Sequence, residues 1–249
     1  MSKVIVFYPV ISNNGAKFTA VNFAFAYSKR FKEKKIALVD FNLKNPGTGY
    51  VFLKGEKVTG LDNVIEKIDN MHFNEKVLIG NMFKINKNID ILYGTDRFYD
   101  YKNITEKHIE TILNELKKHY DYVLVNVNSD SDNAGTVYSI LNADEIIMIT
   151  RNNHSNLIKL DYAFKLIEQY KNNTEPIKIV YNYYNENSNC NGEIGKIIKE
   201  KDVEVLGYYD YDGAGIDNID FTKTIKLGSG KNFSQTLKMI KKLEKRREE

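Results

Sequence analysis

The sequence predicts an α/β protein with a doubly wound, mostly parallel β-sheet that is flanked by helices on both faces. Short segments rich in Val, Ile and Tyr are nearly continuous in apolar character, as strands covered on both faces are. Segments with helical periodicity separate them, and this alternation is typical of βα units. The chain has three prolines and no low-complexity stretch. We therefore predict a single domain over residues 1–249.

Seven segments have the length and the β-branched and aromatic content of strands. They are Val4–Tyr8, Ile36–Phe41, Ile89–Leu92, Tyr122–Val127, Glu145–Thr150, Ile177–Tyr181 and Val203–Tyr209. Parallel strands are joined by right-handed crossovers, so their carboxyl ends share one edge of the sheet. Open α/β sheets bind their ligands at that edge.

Six segments have apolar residues at helical spacing. They are Thr19–Phe31, Leu61–Ile68, Glu106–His119, Leu157–Tyr170, Gly192–Lys199 and Phe233–Leu243. Most of them fall between predicted strands, as the crossovers of a parallel sheet require.

Composition excludes several classes of protein. The net charge is +3, from 36 basic and 33 acidic residues, so no overall field favours nucleic acid or an anionic membrane. The single cysteine, Cys190, permits no internal disulfide and suits a reducing cytoplasm. The four histidines lack the spacing of metal ligands, and no segment is apolar for long enough to serve as a signal peptide or a membrane span. We expect a cytoplasmic protein without a metal site.

The segment after the first strand has the frame of a phosphate-binding loop without its usual lysine. A P-loop, G-x-x-x-x-G-K-[ST], uses backbone N–H groups, a lysine and a metal-holding hydroxyl at the start of a helix. Gly15 fits the second glycine, but Ala16 takes the place of the lysine and Lys17 that of the hydroxyl. The alternative is a simple turn, because Asn13-Asn14-Gly15 tolerates left-handed backbone geometry.

Five stretches together resemble the ParA/MinD family, the deviant Walker A ATPases, which include the CpaE and TadZ pilus-localisation proteins. The resemblance covers nearly the whole chain in the family's order. The stretches are Ala20-Val21-Asn22-Phe23-Ala24, Leu38-Val39-Asp40-Phe41-Asn42-Leu43-Lys44-Asn45-Pro46, Tyr120-Asp121-Tyr122-Val123-Leu124-Val125-Asn126, Asn142-Ala143-Asp144-Glu145-Ile146-Ile147 and Val205-Leu206-Gly207-Tyr208-Tyr209-Asp210-Tyr211-Asp212.

The family's loop reads K-G-G-x-G-K-[ST]-T, and the resemblance places its functional positions on this chain. In the gapless register Ile11 replaces the first lysine, which in the family reaches the partner subunit's nucleotide. Gly15 is kept, and Ala16 replaces the P-loop lysine. Lys17 replaces the hydroxyl, and a protonated lysine cannot ligate Mg²⁺.

The family's two acidic positions are also changed. Its D-x-D motif reads Asp40-Phe41-Asn42, and Asn42 cannot accept the proton of an attacking water. The Walker B aspartate is Asn126, so the charge that fixes the water shell of Mg²⁺ is missing. Asp40 itself either belongs to the old site or only holds backbone at a strand end. Asn182 lies where the family's adenine-side asparagine would be, or is a loop residue.

A shifted register is the alternative for the loop, with Lys17 as the P-loop lysine and Thr19 as the hydroxyl. It needs an inserted residue after Gly15 and turns the helix by about 100° relative to its apolar face. We regard the site as vestigial and without catalytic residues. Its nucleotide-side positions would be Asn13, Asn14, Gly15, Ala16, Lys17, Phe18, Asp40 and Asn182.

The last predicted helix and the residues after it form a basic stretch, for which three interpretations are open. The basic residues are Lys238, Lys241, Lys242, Lys245, Arg246 and Arg247. Such residues bind DNA non-specifically in some ParA-like proteins, and MinD-like proteins end in an amphipathic membrane helix. A solvated helix is the third interpretation, because Phe233, Leu237, Ile240 and Leu243 recur at the spacing of a face that packs onto the sheet.

The resemblance implies a protein that no longer hydrolyses ATP and that positions or scaffolds a pilus, secretion or conjugation apparatus. We expect no cofactor, a protein partner, and a homodimer through the former nucleotide face, with no direct contact with a membrane. The alternative is a dimerisation switch that binds ATP and Mg²⁺ and hydrolyses slowly or on stimulation, in plasmid or DNA partition or in cell positioning.

Overall fold

A computed structural model describes residues 2–48, 52, 60–172, 174, 176–210 and 230–245. They form an eight-stranded sheet whose strands lie in the order β3-β4-β2-β5-β1-β6-β7-β8. All neighbouring pairs are parallel except β3 and β4. The strands are β1 Lys3–Pro9, β2 Ile36–Asp40, β3 Phe83–Lys84, β4 Ile89–Leu92, β5 Tyr122–Asn126, β6 Glu145–Thr150, β7 Ile177–Tyr184 and β8 Glu204–Asp210. The predicted fold class is confirmed.

Helices cover both faces of this sheet. They are α1 Ala16–Arg30, α2 Leu61–Asp69, α3 Glu75–Gly80, α4 Glu106–His119, α5 Ala134–Asn142, α6 His154–Lys171, α7 Asn191–Glu200 and α8 Gly230–Lys245, with a 3₁₀ helix at Phe98–Asn103. No helix in the described ranges is both long and apolar enough to cross a membrane.

The two sides of β1 belong to different halves of the core, because successive side chains of a strand point to opposite faces. Val4 and Val6 pack with residues of α2, α4, α5, α6 and α7. Ile5 and Phe7 pack with residues of α1 and α8. Burial on both faces is the reason that these strands read as continuous apolar runs in the sequence.

Several elements were not predicted, of which α5 matters most for the site. Its sequence, Ala-Gly-Thr-Val-Tyr-Ser-Ile-Leu-Asn, contains a glycine and three β-branched residues, which have lower helix propensity than alanine or leucine. Packing requires this glycine, because a Cβ at Gly135 would lie 2.4 Å from the Phe41 carbonyl oxygen. The side chain of Asn133 caps the helix and accepts a hydrogen bond from the Thr136 N–H at 3.0 Å.

The apolar face of α8 packs against the sheet, as the spacing predicted. Phe233, Thr236, Met239, Ile240 and Leu243 are buried. This face is therefore already occupied and does not offer the apolar surface of a membrane-binding helix. The predicted stretch at Tyr211 and Asp212, and the basic residues Arg246 and Arg247, lie outside the described residues.

A buried group of charges joins α8 to the amino end of the sheet. Lys3 Nζ lies 3.3 Å from Glu244 Oε1 and 3.4 Å from Glu145 Oε1, and the Lys3 side chain is 4% exposed. The Tyr27 hydroxyl donates to Glu244 Oε1 at 2.7 Å. Burial and the neighbouring Glu244 raise the pKa of Tyr27 well above its usual value, so this hydroxyl stays a donor. Lys3 therefore pairs with two carboxylates that are largely removed from water, and Lys178 Nζ lies 3.7 Å from Oε2 of one of them, Glu145.

The variant Lys3→Met tests this group. It leaves Glu145 and Glu244 with less compensation, and we expect it to lower the free energy of unfolding by about 2–3 kcal/mol. Urea denaturation measures the change. The matched control is Lys196→Met, which breaks an exposed pair with Glu200 at 3.8 Å and should cost at most about 0.5 kcal/mol. Equal stability of the two variants would contradict the role given to Lys3.

Candidate functional site

The loop between β1 and α1 turns sharply at two residues with left-handed backbone. Asn13 has φ 66° and Gly15 has φ 93°, and α1 begins directly at Ala16. The predicted start at Thr19 was three residues late, because the polar and small residues of the first turn hide the helical period. Helix α1 thus starts next to the carboxyl end of β1, where a phosphate-binding loop would lie.

The carbonyl and side chain of Asn14 are both turned into the protein. Asn14 is 3% exposed, and its Nδ2 donates to Asn156 Oδ1 at 2.6 Å and to the Ile149 carbonyl at 3.2 Å. Asn182 Nδ2 donates to the Asn14 carbonyl at 2.8 Å. The loop is therefore tied to β6, α6 and β7 by neutral amide groups.

Gly15 and Asn182 are in close contact. A Cβ on Gly15 would lie 2.0 Å from Asn182 Nδ2, and the positive φ of Gly15 also disfavours other residues. Asn182, which is 2% exposed, is thus not a free loop residue but part of the packing around the loop.

The first turn of α1 keeps the backbone donors of an anion site. The Thr19 N–H donates to the Gly15 carbonyl at 2.9 Å, and the part of the chain that the structure describes provides no acceptor for the N–H groups of Ala16, Lys17 and Phe18. The Thr19 hydroxyl donates to the Gly15 carbonyl at 3.0 Å and is buried within the helix. It is therefore not placed as a metal ligand, as the shifted register would need.

An arginine that the sequence did not single out lies beside the loop. Arg151, directly after β6, donates from Nη2 to the Asn13 carbonyl at 2.7 Å. Its guanidinium also lies over the Tyr183 ring, 4.4 Å from the centroid. Asn156 was missed for the same reason as Arg151: both are distant in sequence from the loop, and only the pairing of β6 with β1 brings them to it.

The carboxylate of Asp40 accepts four hydrogen bonds. Oδ2 accepts from the N–H groups of Gly47 and Thr48, each at 2.7 Å. Oδ1 accepts from the Asn42 N–H at 3.2 Å and from Asn126 Nδ2 at 2.8 Å. Asp40 is 1% exposed, so its oxygens are used within the protein.

The two asparagines at the family's acidic positions also have structural partners. Asn126 is fully buried and bonds to Asp40, while its Oδ1 has no hydrogen-bond partner among the described residues. The side chain of Asn42 accepts from the Asn45 N–H at 3.0 Å and closes a turn. A neutral amide at 126 can bond to the Asp40 carboxylate, whereas a second carboxylate there would repel it.

These residues do not fit a Mg²⁺-nucleotide. The cation would need a hydroxyl at 17 and carboxylate oxygens that are free to bind its water shell. Lys17 is at the first position, and the oxygens of Asp40 are occupied by backbone and amide donors. The cradle of N–H groups and the neighbouring Arg151 guanidinium suit phosphate oxygens, but neither supplies the missing metal ligands.

No protein-family model and no curated protein matches the sequence. The fold, however, is that of ParA family ATPases and MinD. A ParA family ATPase from Chlorobium tepidum TLS has a TM-score of 0.80 at 20% identity, with 98% of each chain covered. A plasmid partition protein from Borrelia burgdorferi B31, bound to AMPPNP, has a TM-score of 0.69 at 18% identity, covering 98% of this chain and 100% of that one. MinD in the MinC:MinD complex of Aquifex aeolicus has a TM-score of 0.74 at 17% identity, covering 97% and 95%.

The variant Asn126→Asp tests why an amide occupies this position. It places a second carboxylate against Asp40, across a contact that is now 2.8 Å, and the pKa of one of the two should rise. We expect a loss of roughly 2–4 kcal/mol of unfolding free energy at pH 7. Because the folded state then binds a proton more tightly than the unfolded state, stability should recover as pH falls through the raised pKa.

Urea denaturation at pH 7 and at mildly acidic pH measures both effects. The control is Asn128→Asp, because Asn128 Oδ1 accepts from Asn133 and Thr136 while its Nδ2 has no partner among the described residues. An aspartate there keeps the accepted bonds. A loss for Asn126→Asp that is the same at both pH values would contradict the electrostatic explanation.

Proposed function

We propose that this protein is a non-hydrolysing ParA/MinD-like pseudo-ATPase that acts as a cytoplasmic positioning or scaffold protein. One observation carries the proposal: the Asp40 carboxylate is held by four hydrogen bonds, one of them from Asn126 at the Walker B position. The carboxylate oxygens that would face the water shell of Mg²⁺ in an ATPase accept hydrogen bonds from this protein's own backbone and from Asn126 instead.

Phosphoryl transfer relies on charges that stabilise the transferred group and on a residue that orients the attacking nucleophile. Ala16 brings no charge to the loop, and Asn42 cannot take up a proton. The Asn42 side chain is further engaged with the Asn45 N–H. Two cations do lie at the loop: Lys17, which takes the position of the metal-holding hydroxyl, and Arg151, whose Nη2 is bonded to the Asn13 carbonyl. Neither takes the place of the P-loop lysine at residue 16, and we infer that hydrolysis is not supported.

Without hydrolysis, the proposed function is the binding of a protein partner through the former nucleotide face. The CpaE/TadZ resemblance favours a pilus, secretion or conjugation apparatus as the structure that is positioned. We infer a homodimer through the former nucleotide face, as the resemblance implies. Ile11, at the position of the family's cross-subunit lysine, is apolar, partly exposed and packed against core residues, so it offers no charge to a partner subunit. The dimer is expected to be either constitutive or absent, because no γ-phosphate controls it.

A second candidate is an ATP-binding switch with slow or partner-stimulated hydrolysis. The observation that favours it is the set of N–H groups at Ala16, Lys17 and Phe18, for which the described residues provide no acceptor. Gly15 also keeps the backbone shape of the cradle. A structure of the same fold holds AMPPNP, in the Borrelia burgdorferi partition protein. Phosphate release from ATP or GTP by the purified protein would favour this candidate.

Isothermal titration of the full chain with ATP and Mg²⁺ separates the two candidates. We expect no binding in the micromolar range, because the lysine and the metal-holding hydroxyl are both missing. The matched variant is Ala16→Lys with Lys17→Thr, which restores both groups in the gapless register. It should gain affinity for ATP but still not hydrolyse it, because Asn42 and Asn126 are unchanged. Micromolar, Mg²⁺-dependent binding by the unmodified protein would overturn the proposal.

A further inference from the structure

Three segments at the carboxyl edge of the sheet meet at the side chain of Lys44. Lys44 follows β2, and its Nζ lies 2.9 Å from Asp130 Oδ2 and 2.7 Å from the Asp132 carboxylate, both of which follow β5. Tyr101, in the 3₁₀ helix after β4, donates from its hydroxyl to Asp132 at 3.2 Å. The Lys44 ammonium also lies 5.2 Å from the centroid of the Tyr101 ring. One cation therefore joins the segments that follow β2, β4 and β5.

The segments that follow β2 and β5 are also joined where they leave the sheet. The Phe41 N–H donates to the Asn126 carbonyl at 2.9 Å, and Gly135 lets α5 approach the Phe41 carbonyl closely. The loop after β1 also reaches the segment after β5, because the hydroxyls of Ser12 and Ser129 lie 2.9 Å apart. Asp40 and Asn126 join the segments after β2 and β5 at the strand ends. Lys44 joins the same two segments farther from the sheet.

Lys44 makes more contacts than the cation of an isolated surface pair, although Asp130 and Asp132 are 52% and 53% exposed. The Lys44 side chain is 27% exposed, and it is shared between two carboxylates and an aromatic face. Partial burial acts to lower the pKa of Lys44, but the hydrogen bonds to Asp132 and Asp130 outweigh it and raise the pKa. The hydrogen bond from Lys44 in turn lowers the pKa of Asp132. These opposite shifts favour the charged forms of both Lys44 and Asp132.

We propose that Lys44 is a latch that holds the loops after β2 and β5 in one arrangement without a nucleotide. The proposal rests on the proposed function, since it explains how a face that no longer responds to phosphate keeps a defined shape. In nucleotide-driven switches, loops at such a site are ordered by contacts to the γ-phosphate and its Mg²⁺. Here Lys44 supplies the cation and Asp130 and Asp132 supply the anions, and all three belong to the chain.

Amide hydrogen exchange of the full chain tests the latch. In Lys44→Met, which keeps most of the unbranched side chain and removes the charge, residues 41–48 and 128–133 should exchange roughly five- to tenfold faster. Lys44→Arg should keep most of the protection, because a guanidinium can bond to both carboxylates. The matched control is Lys34→Met, which breaks an exposed ion pair with Asp121 at 2.8 Å away from these loops.

A second variant distinguishes loss of the Lys44 contacts from a general folding defect. Asp130→Asn with Asp132→Asn removes the anions and should raise exchange in the same two loops. Adding Lys44→Met to that variant should then cause little further change, because the interaction is already lost. Unchanged exchange in Lys44→Met, or fully additive effects in the triple variant, would overturn the latch.

The same exchange experiment with ATP and Mg²⁺ keeps the two proposals distinguishable. Unchanged protection of residues 41–48 on addition of the nucleotide is the expected result. New protection of these residues in the unmodified protein would show that the nucleotide binds there, and it would overturn the proposed function. The Lys44→Met comparison without nucleotide would decide on the latch in either case.

Discussion

The carboxylate of Asp40 is the interaction on which the rest of the candidate site depends. A buried carboxylate is tolerated only where donors compensate for its lost hydration. Asn126 and the N–H groups of residues 42, 47 and 48 provide those donors. Their positions fix the turn after β2 against the end of β5. An acid at residue 126 would lie against this carboxylate and repel it, whereas the amide of Asn126 donates to it.

Neutral amides hold the neighbouring loop in a comparable way. Asn14, Asn156 and Asn182 bond to one another or to backbone, without a net charge among them. Such a network gives the loop a defined conformation whether or not an anion is present. The network leaves the N–H groups of Ala16, Lys17 and Phe18 without an acceptor among the described residues. The conformation of the loop is therefore set without an anion, while its backbone donors stay available.

Much of the fold was predictable because its strands are covered on both faces. Burial on both sides leaves continuous runs of Val and Ile, and β4 and α4 were predicted at the residues where they occur. Helix α5 was missed because its glycine and β-branched residues have low helix propensity, while the close approach of Gly135 to the Phe41 carbonyl is a contact that the sequence does not show. The early start of α1 was missed because Ala16 and Lys17 show no helical period.

The sequence by itself determined the order of strands and helices, the retained Gly15 and the absence of the lysines, hydroxyl and acids at the positions compared. These are properties of residue type and spacing, which need no knowledge of contacts. Only the tertiary structure decided that Asp40 is enclosed by donors, that Asn182 packs against Gly15, and that Lys44 lies between Asp130 and Asp132. These pairs are separated by 86 or more residues, apart from the local donors to Asp40. The parallel sheet brings them to one edge, and no local pattern records which distant strand ends become neighbours.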